Sequence, residues 1–195
     1  YLKYLSFTLF TYIFAAIVVR QDWRNAISST IIPSFTISKD YLLNIVAILG
    51  TTISPYLFFW QAGEEVEEEV RMKKLKTMGQ GIPRIFPRDI KSMRIDTLVG
   101  MLFSQLIMFF IIVTTASTLH LSGITHIETA SQAAEALRPL AGQFSYLLFA
   151  LGIIGTGLLA VPILAGSASY AFSEAFGWKE GLYRKFAKAH GFYGV

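Results

Sequence analysis

Cysteine is absent from the 195 residues, so the chain has no disulfide framework and no thiolate metal site. Charged residues are also scarce, at 15%, whereas 53% of the residues are hydrophobic. That balance is typical of an integral membrane protein and excludes an ordinary soluble domain. The three histidines have no metal-ligand spacing, and no nucleophile motif is present. We therefore predict an all-α membrane protein that is not an enzyme, with no catalytic residues and no cofactor.

Apolar stretches at four places are candidates for membrane spans. The last three have the ~20 residues that a bilayer requires, and the first is shorter. No alternating strand pattern lies between them. Because the chain begins with Tyr1 and ends in an apolar run, we expect an internal fragment of a longer protein. We predict a single transmembrane domain over residues 1–195, with spans at residues 4–19, 41–62, 97–119 and 144–176.

Basic residues alternate between rich and poor connecting segments. Residues 64–95 carry eight and the tail after residue 176 carries four, whereas residues 20–40 carry three and residues 120–143 carry one. By the positive-inside rule, the rich segments face the cytoplasm. Because these charges lie beside membrane spans, the net charge of +4 does not indicate nucleic acid binding. We expect a multi-pass protein whose partner is the lipid bilayer, in the plasma membrane of a prokaryote.

The second span is interrupted by Gly50, Pro55 and three hydroxyl residues between them. Pro55 has no N–H to donate to the carbonyl of Thr51, and proline in a helix interior costs about 3 kcal/mol. Irregular backbone at membrane depth lines cavities, and broken helices hold substrates and ions in secondary transporters. The alternative is a kinked packing helix. We predict half-helices at residues 41–49 and 57–68 with an unwound segment between them.

Oxygen atoms are the ligands that this segment offers. The carbonyl of Thr51 and the hydroxyls of Thr51, Thr52 and Ser54 suit a hard cation such as Mg²⁺ or Mn²⁺. No carboxylate lies in the run, so a dication needs one from another span outside this chain. For Ser54, the alternative is a hydrogen bond back to the helix backbone.

Residues 47–56, Ala-Ile-Leu-Gly-Thr-Thr-Ile-Ser-Pro-Tyr, resemble the sixth transmembrane helix of the Nramp family of divalent metal transporters. Residues 150–167 resemble its eighth helix, and residues 19–23 resemble the end of its fifth. The resemblance covers essentially the whole chain, as helices five to the start of nine. It implies a LeuT-type fold of two inverted repeats, alternating access, and an ion site between broken helices one and six. The divalent ion is then the substrate, and the rest of the same transporter chain is a further partner.

Three positions depart from the pattern of typical Nramp importers. Those proteins have a methionine before the helix-six proline, where this chain has Ser54, and histidines linked to proton movement at the positions of Tyr56 and Gln61. Hydroxyl oxygen does not favour soft metals as a thioether does, and neither Tyr nor Gln titrates near neutral pH. The chain thus resembles the Nramp-related branch that includes magnesium transporters. That resemblance implies Mg²⁺ or Mn²⁺ transport without proton coupling, with Thr51 and Ser54 at the ion and Thr52, Pro55, Tyr56 and Gln61 along its pathway.

Five glutamates follow the second span, at positions 64, 65, 67, 68 and 69. They either concentrate cations in an inner vestibule or form a solvated helical extension that pairs with Arg71, Lys73 and Lys74. We favour the solvated extension for most of the run. Glu64 and Glu65 lie closest to the membrane and are the better candidates for the pathway.

Isolated polar residues and glycines in the other spans have packing explanations. Gln105 in the third span either bonds another helix or contacts hydration water on the ion pathway. Asp96 at the start of that span is expected to be a helix cap or an interface residue and not a ligand. In the outer connection, a short helix is expected at residues 131–137, ended by Pro139. The glycines of the fourth span, which include Gly152, Gly155 and Gly166, are expected to let helices approach closely.

Two other functions fit parts of the same pattern. An amino-acid or small-solute carrier of the same fold would present N–H groups at a glycine-rich break, whereas this break is poor in glycine and rich in hydroxyl oxygen. A membrane sensor or scaffold with a vestigial site would have an unbroken first helix in the part of the protein that precedes this chain.

Overall fold

The computed structural model describes all residues except 1, 20, 33, 36, 53–55, 79–80, 84 and 125. For residues 2, 3 and 139–141 it describes the backbone and not the side chains. The described residues are mainly helical and contain no β-strand. The helices, in chain order, are α1 (Leu2–Leu5), α2 (Phe10–Val18), α3 (Trp23–Ile31), α4 (Lys39–Thr52), α5 (Tyr56–Arg71), α6 (Pro87–Thr115), α7 (Ala130–Phe176) and α8 (His190–Gly194).

Three segments of the described chain are long and apolar enough to cross a membrane: Lys39–Arg71, Pro87–His120 and Gly142–Phe176. They contain the second, third and fourth predicted spans. The first predicted span corresponds to a shorter apolar helix, Ser6–Val18, which begins with the 3₁₀ turn Ser6–Leu9. The predicted all-helical fold is thereby confirmed for the described residues, with three helical segments of the length and composition of a membrane span.

The chain divides into two compact units. The first comprises Tyr1–Phe35 and Lys91–Leu159, and the second comprises Thr36–Ile90 and Ala160–Val195. The core of the first unit is a cluster of buried side chains from α2, α6 and α7 and from the end of the π-helical turn Ala116–His120. Its members are Tyr12, Ile107, Leu119, Ala134, Leu137 and Phe149.

Glycines of α7 allow α2 to approach closely within this unit. A Cβ atom at Gly152 would lie 2.6 Å from the ring of Tyr12, and one at Gly155 would overlap Thr8. The Tyr12 ring also packs edge-on against Phe149, with ring centroids 5.3 Å apart. The expected packing role of these two glycines is confirmed, because no larger residue fits at either position.

The N-terminal part of α7 is the short helix expected in the outer connection, and it is longer than residues 131–137. The side chain of Gln132 accepts from the backbone N–H of Thr129 and of Glu128, while the Thr129 hydroxyl accepts from the N–H of Gln132. This reciprocal capping box starts the helix at Ala130. It continues past Pro139 to Gly142, whose φ of 85° breaks the helical path. The predicted end at Pro139 is therefore wrong, because the last turn of a helix can lose one backbone hydrogen bond at little cost.

Asp22 starts a helix, α3, that the analysis of the sequence did not predict. Its carboxylate accepts from the N–H of Asn25 at 3.1 Å, as an N-cap does. Trp23 then packs edge-on against Phe110 of α6, with centroids 6.0 Å apart. Gln21, which precedes Asp22, donates to the carbonyl of Ala16 in α2 and accepts from the hydroxyl of Ser117, in the π-helical turn after α6. These contacts connect the end of α2 to that turn.

The start of α6 lies earlier than the predicted third span. The helix begins at Pro87, where a proline suits the first position, and Asp89 accepts from the N–H of Phe86 at 2.9 Å. Asp89 also pairs with Lys74, 2.5 Å away. Asp96 therefore lies well inside the helix and does not cap it, and its alternative role as an interface residue stays a prediction. The pairing expected between Lys74 and the glutamate run is wrong for the described residues, since this lysine pairs with Asp89.

Candidate metal-ion site

The predicted ion ligands lie where two helices of the second unit meet along the chain. Thr51 and Thr52 form the end of α4, and Tyr56 begins α5. Ser54 and Pro55 lie outside the described residues. The unwound segment between the two half-helices therefore stays a prediction, and it is confined to residues 53–55.

The first of the two predicted half-helices extends three residues further than predicted, through Gly50 to Thr52. The Thr52 hydroxyl donates to the carbonyl of Ile48 at 2.6 Å. The Thr51 hydroxyl donates to the carbonyls of Ile48 and Ala47, at 3.0 and 3.1 Å. These bonds satisfy the two hydroxyls within the helix, and Gly50 alone weakens a helix by only about 1 kcal/mol, so α4 continues through all three residues. Each hydroxyl oxygen keeps lone pairs that can coordinate a cation.

The remaining predicted pathway residues are distributed over two units. Tyr56, Gln61 and Glu64 are exposed on α5, and Glu65 is half-buried on the same helix. Gln105 is exposed on α6, in the first unit. Among the described residues, no group of three or more His, Asp and Glu side chains has the geometry to hold a metal ion. The structure places the hydroxyl-bearing residues Thr51 and Thr52 at the end of α4, and their role as ion ligands stays a prediction.

After this site along the chain, α5 packs against the C-terminal half of α7 through two reciprocal pairs. In each pair a glycine of one helix faces an aromatic ring of the other. A Cβ atom at Gly63 would lie 3.1 Å from the ring of Tyr170, and one at Gly166 would overlap the ring of Trp60. The two rings also meet edge-on, with centroids 6.2 Å apart. The expected packing role of Gly166 is confirmed.

One turn further along α5, Glu67 connects three parts of the second unit. Its Oε1 atom accepts a hydrogen bond from the Tyr170 hydroxyl on α7 and another from the backbone N–H of Leu182, in the loop after α7. A Cβ atom at Gly181 would lie 3.1 Å from the same oxygen. We call this arrangement of Glu67, Tyr170 and Leu182 the Glu67 junction.

The Glu67 junction was not predicted, because five neighbouring glutamates read as one solvated surface. The spacing of Trp60, Gly63 and Glu67 held a usable signal, since residues at i, i+3 and i+7 share one helical face. On that face Glu67 continues the line of residues that contact α7, whereas Glu68 is exposed. The predicted solvated extension is therefore wrong at Glu67.

Burial and neighbouring carboxylates both act on Glu180, which lies beside the junction. Glu180, in the loop after α7, has its pKa raised, first by partial burial and then by the charges of Glu174 and Glu67, while Arg184 lowers it. Burial disfavours the charged form, and like charges add to that effect. Carboxylates of both α5 and α7, Glu67 and Glu174, are therefore close enough to this loop to act on Glu180.

Comparison with known families gives one match. The family model described as natural resistance-associated macrophage protein-like, Nramp, matches residues 2–193. No curated protein matches the chain.

Proposed function

The chain belongs to the Nramp family, and from that premise we propose that it forms part of a transporter that carries Mg²⁺ or Mn²⁺ by alternating access without proton coupling. Members of this family are multi-pass integral membrane transporters of divalent metal ions with the LeuT-type fold. The remaining helices of the same transporter chain then complete the site, and the plasma membrane of a prokaryote is the proposed location.

The oxygen-only run at the junction of α4 and α5 carries this proposal. Thr51 and Thr52 place hydroxyl oxygens at the last turn of α4, and Ser54 follows two residues later. Oxygen ligands of this kind suit hard dications, and a site with few protein ligands lets Mg²⁺ keep several of its waters. A serine in place of a methionine removes the thioether sulfur, which is the soft ligand that favours softer transition metals.

The absence of imidazole supports the proposal that transport is uncoupled from protons. By resemblance to typical family members, Tyr56 and Gln61 stand at two positions where those proteins have histidine. Histidine is the side chain whose ordinary charge change falls between pH 5 and 8, and neither position has one to carry a proton through the transport cycle. In this proposal the ion gradient and the membrane potential drive the ion alone.

Reconstituted vesicles that contain the complete transporter provide the test. An interior dye for Mg²⁺ or Mn²⁺ is expected to report entry of the ion, and a pH dye is expected to report no accompanying acidification. Entry of an amino acid in place of either ion would support the small-solute carrier. Entry of no solute would support the sensor or scaffold.

Replacing Pro55 with Ala is expected to lower ion flux about tenfold, because the alanine N–H restores a helical donor at the predicted break. Flux of Mg²⁺ and Mn²⁺ into vesicles, normalised to the amount of protein, measures the effect. Pro83→Ala is the matched control, since Pro83 lies outside the helices in the loop between α5 and α6. Unchanged flux in Pro55→Ala would show that the break does not depend on this proline.

A further inference from the structure

We propose that Glu67 is a positioning residue, which fastens the inner end of α5 to α7 and to the loop after α7 so that the three move as one body. A single atom of its carboxylate, Oε1, accepts hydrogen bonds from both other members of the Glu67 junction. Since α5 continues the chain from the proposed ion site, this junction sets how the inner half of the broken helix moves. Only the transport measurement in the test depends on the proposed function.

The donors at the junction need this acceptor. Tyr170 is 4% exposed, and a buried tyrosine hydroxyl is normally satisfied by a hydrogen-bond partner. The second donor is a backbone N–H, which cannot move away without moving the loop. Bonds to an ionised carboxylate are stronger than bonds to a neutral acceptor. Removal of the carboxylate therefore removes the acceptor of both the Tyr170 hydroxyl and the Leu182 N–H.

The surrounding glycines show that the junction is a close-fitting arrangement. Gly63 lets the Tyr170 ring lie directly on α5, one turn before Glu67. In the loop, Gly181 has a φ of 119°, which side-chain-bearing residues rarely adopt, and this conformation brings the backbone N–H of Leu182 to the carboxylate. The two glycines thus allow both partners of Glu67 to approach closely, Gly63 at the Tyr170 ring and Gly181 at the loop backbone.

The same geometry separates this role from direct contact with the ion. A carboxylate that coordinates a passing ion changes the affinity for that ion, whereas a positioning residue changes the rate of the conformational step. The two donors at Oε1 come from α7 and from the loop that follows it. We therefore expect Glu67 to affect the maximal rate of transport and to leave the KM for the ion unchanged.

A buried thiol provides a reporter for opening of the junction. Ser173 lies one turn beyond Tyr170 on α7 and is fully buried, and its hydroxyl has no hydrogen-bond partner among the described residues. Ser173→Cys is the smallest change that introduces a thiol at this position, and it loses no hydrogen bond to the described part of the chain. Because this chain contains no cysteine, the reporter is introduced into full-length transporter from which any other cysteine has been removed.

In this background, Glu67→Ala is expected to increase the rate of labelling by a water-soluble thiol reagent about tenfold, because local opening exposes position 173. Tyr170→Phe is expected to act in the same direction. The double variant is expected to label no faster than Glu67→Ala, because both changes remove the same contact. Glu67→Gln keeps a carbonyl acceptor and is expected to give an intermediate rate. Glu68→Ala, at the exposed neighbouring glutamate, is the control and is expected to leave labelling unchanged.

Labelling at the wild-type rate in Glu67→Ala, or additive effects of Glu67→Ala and Tyr170→Phe, would overturn the proposal. A raised KM with an unchanged maximal rate would also overturn it, in favour of direct ion contact. If Glu67→Ala does not fold, Glu67→Gln and Tyr170→Phe supply the same comparison. Labelling does not depend on which ion is carried. Failure of Mg²⁺ and Mn²⁺ transport with the expected labelling pattern would therefore contradict only the proposed function.

Discussion

Ser54→Met is expected to shift ion preference about tenfold toward Cd²⁺ and Mn²⁺ and away from Mg²⁺. Thioether sulfur is a soft ligand that Mg²⁺ does not favour. The longer side chain also occupies space that a partly hydrated Mg²⁺ needs, and this ion gives up its waters reluctantly. The change therefore acts on both the chemistry and the volume of the proposed site.

Competition in reconstituted vesicles measures this preference, as the ratio of KM values for Cd²⁺, Mn²⁺ and Mg²⁺. Ser92→Met is the matched control, because Ser92 is exposed on α6 and far along the chain from the proposed ligands. The control is expected to leave every ratio unchanged. An unaltered ratio in Ser54→Met itself would mean that position 54 does not face the ion.

The second large effect is expected at the contact between α5 and α7. Gly166→Ala is expected to destabilise the protein by about 1–3 kcal/mol, since overpacking of a close contact forces side chains and backbone to shift. The added methyl group overlaps the indole of Trp60, and that ring cannot retreat without leaving the edge of Tyr170. Thermal unfolding of the purified transporter in detergent measures the loss.

Gly157→Ala is the control on the same helix. A Cβ atom at position 157 has no neighbour within 4 Å in the described structure, so alanine is expected to be neutral or stabilising there. Trp60→Phe, which removes the part of the ring nearest to Gly166, is expected to restore stability when combined with Gly166→Ala. A combined variant that is no more stable than Gly166→Ala would show that the clash lies elsewhere.

Hydrophobic patterning predicted the long helices because a bilayer span has a nearly fixed length. The third and fourth spans lie within described helices, with a π-helical turn at the end of the third, and the second span is divided between α4 and α5. Helix α7 starts where the Thr129 and Gln132 pair allows a capping box. Helix ends were predicted less well. Asp89 and Pro87 start α6 well before the hydrophobic stretch, because a polar extension of a helix has no hydrophobic signal.

Local chemistry also limited what could be predicted at the proposed site. Gly50 and the two threonines suggested an early break, yet α4 includes all three. A threonine hydroxyl can bond either to an ion or to the carbonyl of the preceding turn, and sequence alone does not separate these outcomes. The Glu67 junction was missed for a different reason. Its partners, Tyr170 and Leu182, are more than 100 positions away along the chain.

The reciprocal pairs between α5 and α7 restrict which amino acids can replace one another during evolution. A larger residue at Gly166 overlaps the ring of Trp60 unless that ring becomes smaller or moves, and one at Gly63 requires the ring of Tyr170 to shift by a few tenths of an ångström. Substitutions at the two members of each pair are therefore coupled. Natural variants of this protein should retain both members of a pair or substitute both, so that coevolving positions mark the contact between the two helices.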